Sequence, residues 1–195
     1  MKHDIRILGI LVALFFITQV IGLALLNLDI QVKVTPTGDK EVVHADTVVG
    51  ERPDVSGFEA FFVVMVSVLV GTGLLLLLIR FGKVGWWKVL FIFAVFLTIS
   101  ISLGVLINPV LAFVLALAMA VLKVFRPNVV LHNITEILIY SGIVILFAPI
   151  FELVWIILLL LAISVYDMFA VWKSGHMITL AKSLTDKKMF AGFSV

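Results

Sequence analysis

Six stretches of this chain are each long and apolar enough to demand a hydrocarbon environment: Ile5 to Leu28, Phe58 to Ile79, Trp86 to Ile107, Val110 to Phe125, Ile134 to Pro149 and Leu153 to Trp172. A helix rises 1.5 Å per residue, so roughly 20 apolar residues cross a hydrocarbon layer about 30 Å thick. The fourth and fifth stretches lie near the lower length limit. Inside lipid no water can satisfy a free backbone N–H or C=O, which leaves the helix as the fold open to each stretch. With 63% of the 195 residues hydrophobic and 13% charged, the composition is that of a membrane protein. The expectation is an all-α integral membrane protein, a six-helix transmembrane bundle forming a single membrane domain over residues 1–195. No internal repeat, low-complexity tract or second soluble domain interrupts it.

The first stretch follows a basic start, Met1-Lys2-His3-Asp4-Ile5-Arg6, as a secretory signal would. It is too long for a signal core and carries no small-x-small cleavage site, so it reads as a retained helix. Basic residues accumulate in short cytoplasmic loops, and with six crossings they orient the chain. Eleven of them (Lys2, Arg6, Arg80, Lys83, Lys88, Lys123, Arg126, Lys173, Lys182, Lys187 and Lys188) fall on the side of the N-terminus, against three (Lys33, Lys40 and Arg52) on the other. Both termini are therefore expected in the cytoplasm of a multi-pass protein of the cell membrane. The net charge of +2 goes to this asymmetry, and no basic patch interleaved with aromatics suggests nucleic acid.

Residues 29–57 form the outside loop. Ile30-Gln31-Val32-Lys33-Val34 alternates apolar with polar, Pro36-Thr37-Gly38-Asp39 is a turn signal, and Glu41-Val42-Val43-His44 resumes the extended pattern. A small extracytoplasmic hairpin is expected after helix one. The loop's acids (Asp29, Asp39, Glu41, Asp46, Glu51 and Asp54) read as a solvated face, since their spacing matches no calcium loop. The absence of cysteine excludes disulfides and thiolate chemistry. His3, His44, His132 and His176 lack metal-ligand spacing and divide between the two sides, so no metal and no cofactor is expected. Residues 173–195 are expected to lie along the inner interface, Met177, Leu180, Ala181 and Leu184 sharing one helical face.

Polar groups inside the crossings could carry chemistry. Gln19, Asn27, Thr72, Thr98, Ser100, Ser102 and Ser141 are uncharged and read as interhelical hydrogen-bond partners, with Ser67 and Gly71 as a small-x-x-x-small packing pair. Glu136 stands three residues after Asn133, the spacing of a capping pair at a helix start. Glu59 opens the second helix, where negative charge suits the dipole, and Glu152 follows Pro149 in a tight turn that reaches water. Asp167 has no such explanation. It sits five residues before Trp172, so its backbone lies roughly 7 to 8 Å inside the interfacial ring. Holding an aspartate there costs on the order of 2.5 to 3.5 kcal/mol, and intramembrane ionisable groups are functional as a rule. Lys173, the nearest cation, points well away round the helix.

These residues carry a resemblance. "ISVYDMFAVW", Ile163 to Trp172, resembles the sixth-helix motif of the presenilin and signal peptide peptidase family, and "HMITLAKSL", His176 to Leu184, is most similar to archaeal presenilin homologues. The helix number, the loop after helix one and the Pro-bearing turn before helix six fit that family's N-terminal portion. The resemblance implies an intramembrane aspartic endopeptidase acting on transmembrane peptides in the lipid bilayer. It implies Asp167 as one member of a catalytic aspartate dyad and Tyr166 as the neighbouring hydrogen-bond or substrate contact. Two carboxylates at close range cannot both ionise, so one stays an acid while the other activates water.

The family's second aspartate, in a Gly-x-Gly-Asp motif on a seventh helix, and its Pro-Ala-Leu motif do not occur in this sequence. The expectation is an N-terminal six-helix part, inactive alone, whose partner is a C-terminal portion carrying the second aspartate; the ending "KKMFAGFSV" reads as interrupted. Two alternatives stay open: a transporter or channel in which Asp167 relays protons or binds a cation, and a non-catalytic scaffold subunit.

Overall fold

The computed structural model describes residues 5–34, 40–81, 84–126, 128–172, 175 and 178. Six helices and a hairpin follow one another as α1 (Ile5–Asp29), β1 (Ile30–Val34), β2 (Lys40–His44), α2 (Gly57–Arg80), α3 (Val84–Gly104), α4 (Pro109–Phe125), α5 (Val129–Phe147) and α6 (Leu153–Trp172). Five of these helices are long and apolar enough to cross a membrane, and α4 is the shorter sixth. The two strands pair antiparallel, Ile30 opposite His44 and Val34 opposite Lys40, where the alternating pattern puts them. The Pro36-to-Asp39 turn lies outside the described residues, as does the interfacial tail apart from Gly175 and Ile178.

The chain divides into two units. The first holds α1, the hairpin, α3 from Ile92 onward, α4 and α5. Its most extensive interface joins α1 to α5. Gly22 stands 3.8 Å from the Ser141 hydroxyl, measured from the position a Cβ would take, and Leu25 packs with Ile145 and with Ile101 of α3. Contacts advance in the same sense along all three helices, so α1, α3 and α5 run parallel. Gly142 is dictated by this packing, because a Cβ there would collide with the backbone carbonyl of Thr98. Between α3 and α5, α4 runs the other way: Phe113 meets Phe96, whereas Lys123, ten residues on, reaches the start of α5. Its buried stripe of Ala112, Ala116 and Ala120 makes that close approach possible.

The local sequence dictates where the helices begin. Asn108 accepts the Leu111 N–H at 3.2 Å and Pro109 fills the first helical position, where a missing N–H costs nothing. Asn128 accepts the Val130 N–H at 2.9 Å and opens α5. This corrects the expected Asn133–Glu136 cap: Val129 to Leu131 extend the apolar run backward to an earlier cap, leaving both residues inside the helix. Glu59 does occupy the first turn of α2.

A second correction concerns the hydroxyls. Thr98, Ser100 and Ser141 donate to carbonyls three or four residues back in their own helices, at 2.7 to 3.1 Å, because that acceptor is always within reach. Ser102 is fully buried, and its hydroxyl has no partner among the described residues. The Ser67–Gly71 pair is not a packing seam, since a Cβ on Gly71 would meet open space.

The second unit holds α2, α3 through Phe91, and α6. Phe58 and Phe61 of α2 close on Trp155 of α6, with ring centroids 5.6 and 6.0 Å apart. Gly57 precedes them at φ +56°, a backbone state an L side chain resists, with the Trp155 indole nitrogen 3.2 Å from where its Cβ would stand.

Candidate active site

Asp167 belongs to the face of α6 that its unit covers. Trp155, Leu159, Ile163, Tyr166 and Asp167 are partly covered and Ala170 is fully buried, at steps of three or four residues, and α6 packs against α2. The opposite face exposes Leu153, Ile157, Leu160, Leu161, Val165 and Met168. The helical period thus turns the single acid of this helix toward protein and leaves an outward face that carries no charge, Ser164 being its one polar side chain. Among the described residues no basic side chain pairs with the Asp167 carboxylate. Lys173 lies outside the described residues. A half-buried carboxylate without a counter-cation can hold a proton, accept one, or bind water. It supplies one carboxyl group and no second.

Two oppositely charged groups pair with each other in the buried part of the first unit, and sequence reasoning missed their roles. Glu136 of α5 is buried in an ion pair with Lys123 of α4, Nζ to Oε1 2.7 Å, the side chains 2% and 3% exposed. Lys123 also donates to the Thr135 hydroxyl at 3.0 Å and stands 3.4 Å from His132 Nδ1. Lys123 is therefore the last turn of a helix, where the sequence had counted it among the loop cations. A lysine ending one apolar helix and a glutamate two turns into the next, across a short connection, was the signal available for this pair.

At the other end of the same unit Asp29 closes α1. Its carboxylate, expected on a solvated face, is buried because Arg52 Nη2 donates to both oxygens at 2.8 and 2.7 Å and His44 Nδ1 lies 2.9 Å from Oδ2. Of the four histidines, His44 and His132 are engaged with acids, and His3 and His176 lie outside the described residues. Among the described residues no three His, Asp or Glu side chains gather closely enough to hold a metal.

No curated protein sequence and no solved structure matches this chain. One family model does, that of the signal-peptide peptidase and presenilin aspartyl proteases, and it extends from residue 12 to residue 193. The match runs through all six helices and includes Asp167 of α6: the chain belongs to the signal-peptide peptidase, presenilin aspartyl protease family.

Proposed function

We propose that this chain is the six-crossing N-terminal part of an intramembrane-cleaving aspartic endopeptidase, that Asp167 is one of the two catalytic carboxylates, and that Tyr166 is an adjacent contact to substrate. The observation that carries the reading is Asp167 itself, an acid with no cation paired to it among the described residues, on the covered face of a helix that carries no other charge, in a chain of this family. Among the described residues the other helical aspartate is Asp29 at the end of α1, whose carboxylate is taken by Arg52 and His44, so in this reading the partner carboxylate comes from outside these 195 residues. With the pair assembled, the protonated member donates to the scissile carbonyl oxygen. Its ionised twin takes a proton from water as the hydroxyl oxygen bonds to the carbonyl carbon. Collapse of the tetrahedral gem-diol breaks the C–N bond: the nitrogen takes the proton that came from water, and a gem-diol hydroxyl returns its proton to the first carboxylate. A transmembrane peptide is the substrate class, because the site lies among helices that only lipid solvates.

The proposed orientation puts both termini in the cytoplasm of a multi-pass protein of the cell membrane, with the hairpin outside and all 195 residues in one membrane domain. The parallel run of α1 and α5 supports an odd number of crossings between them, which requires α4, at 17 residues, to cross as well. The test is reconstitution of this chain with the C-terminal helices in liposomes that contain a model transmembrane peptide. Cleavage is expected with Asp167 present and absent in Asp167→Ala. Unchanged cleavage in Asp167→Ala refutes the assignment, and proton-driven flux from the chain alone would instead favour a transporter.

A further inference from the structure

Residues 45–52 arch over the end of the first unit where α1, α3 and α5 terminate together. The Ala45 N–H donates to the Asp29 carbonyl at 3.1 Å, and Thr47 and Gly50 exchange backbone hydrogen bonds at 3.2 and 3.0 Å, so the middle of the segment is a tight turn. Its apex side chain, Val48, seats on Gly104, the last residue of α3, where any Cβ would strike it. Beneath lies a cavity of about 200 Å³, with Asp29, Gln31, Asp46 and Thr47 along its rim and Ile101, Val105 and Ile145 among the residues at its base.

One side chain fastens this arch. Arg52, 11% exposed, donates from Nε to the Ala45 carbonyl at 2.8 Å, closing the eight-residue loop on itself. From Nη2 it holds both oxygens of Asp29 at the end of α1. From Nη1 it donates to the Ile145 carbonyl at 2.5 Å. That last acceptor is orphaned by the sequence: within α5 it would be served by the N–H of residue 149, which is Pro149 and has none. A single guanidinium therefore satisfies a buried carboxylate, a helix carbonyl whose usual i+4 donor is a proline, and the root of the arch. Lysine, a point donor, cannot span three such segments.

We propose that residues 45–52 are a strap over the helix ends, that Arg52 is its catch, and that releasing the catch admits water-borne reagents to the cavity floor. Because among the described residues Arg52 is the one side chain whose hydrogen bonds join the strap to both α1 and α5, the strap opens as one piece while the helices stay packed through Leu25, Ile101 and Ile145.

The chain contains no cysteine, so an introduced thiol reports without background. With Ile101→Cys at the cavity floor and Ala116→Cys as a buried reference on α4, modification by a charged, membrane-impermeant maleimide is timed with Arg52 intact and in Arg52→Gln and Arg52→Lys. The expected result is slow labelling at 101 with Arg52, acceleration of about tenfold or more in both variants, and no change at 116. Equal rates at 101 overturn the proposal. So does parallel acceleration at 116, which would make Arg52 a clamp on the whole unit. As a second reading, the double variant Val48→Cys/Gly104→Cys is oxidised mildly. The Val48 Cβ lies 3.1 Å from the position of a Cβ on Gly104, a few tenths of an ångström inside the usual disulfide span of about 3.5 to 4.5 Å, which a slight shift of the turn's apex restores; the bond is expected to form with Arg52 and several-fold more slowly in Arg52→Gln, whose strap is lifted away. Formation at one rate in both backgrounds contradicts the catch.

Discussion

Replacing Lys123 by methionine leaves the Glu136 carboxylate, 3% exposed, without the cation that stands 2.7 Å away. At an effective dielectric constant of about 20 the Coulomb attraction at that distance is about 6 kcal/mol, most of which offsets the desolvation of two charges. The pair is thus worth little against an apolar substitute, whereas half of it is expensive: removing one partner from a buried pair costs about 3–5 kcal/mol. Lys123→Met and Glu136→Leu are each expected to lose about that much, and the double variant far less than their sum, with a coupling of about 2–3 kcal/mol. Lys123 also donates to Thr135, so Lys123→Met is expected to be the more damaging single change. Reversible unfolding in mixed micelles, followed by far-ultraviolet circular dichroism, measures all four corners of the cycle. Additive losses, or single variants within about 0.5 kcal/mol of the parent, would refute the reasoning.

The same unfolding measurement checks three further expectations. Gly142→Ala drives a methyl group into the Thr98 carbonyl and is expected to cost about 1–3 kcal/mol, while Gly71→Ala, whose Cβ meets open space, costs nothing measurable. Gly57→Ala meets both a positive φ and the Trp155 indole and is expected to lose about 1–2 kcal/mol. Asn128→Ala removes the acceptor of the Val130 N–H and is expected to cost about 1 kcal/mol.

How much of this was legible beforehand follows from which forces each feature depends on. The six helices are readable because lipid leaves a long apolar run only one backbone solution, and the strands β1 and β2 because their side chains alternate with period two. Boundaries were less certain: α5 begins at Val129 rather than Ile134, since two asparagines five residues apart both offer a cap and only packing selects between them. Asp167 stands out in the sequence as the one acid of a long apolar run and by the residues around it. Lys123–Glu136 was signalled only by a lysine ending one helix near a glutamate early in the next, and Asp29–Arg52 was not legible, because Arg52 returns to the end of α1 through the hairpin and the turn that follows it. The Ile145 carbonyl left open by Pro149 is visible in sequence, but its donor, 93 positions away, is not.

The central claim rests on the carboxyl group of helix six, and its most direct measurement is peptide-bond cleavage. Mass spectrometry of a transmembrane substrate incubated with the assembled protease, made with Asp167 or with the isosteric Asp167→Asn, separates the acid from its shape. The account predicts defined fragments from the first preparation and none from the second, with substrate still bound by both. Fragments of the same mass and yield from the asparagine variant would contradict it.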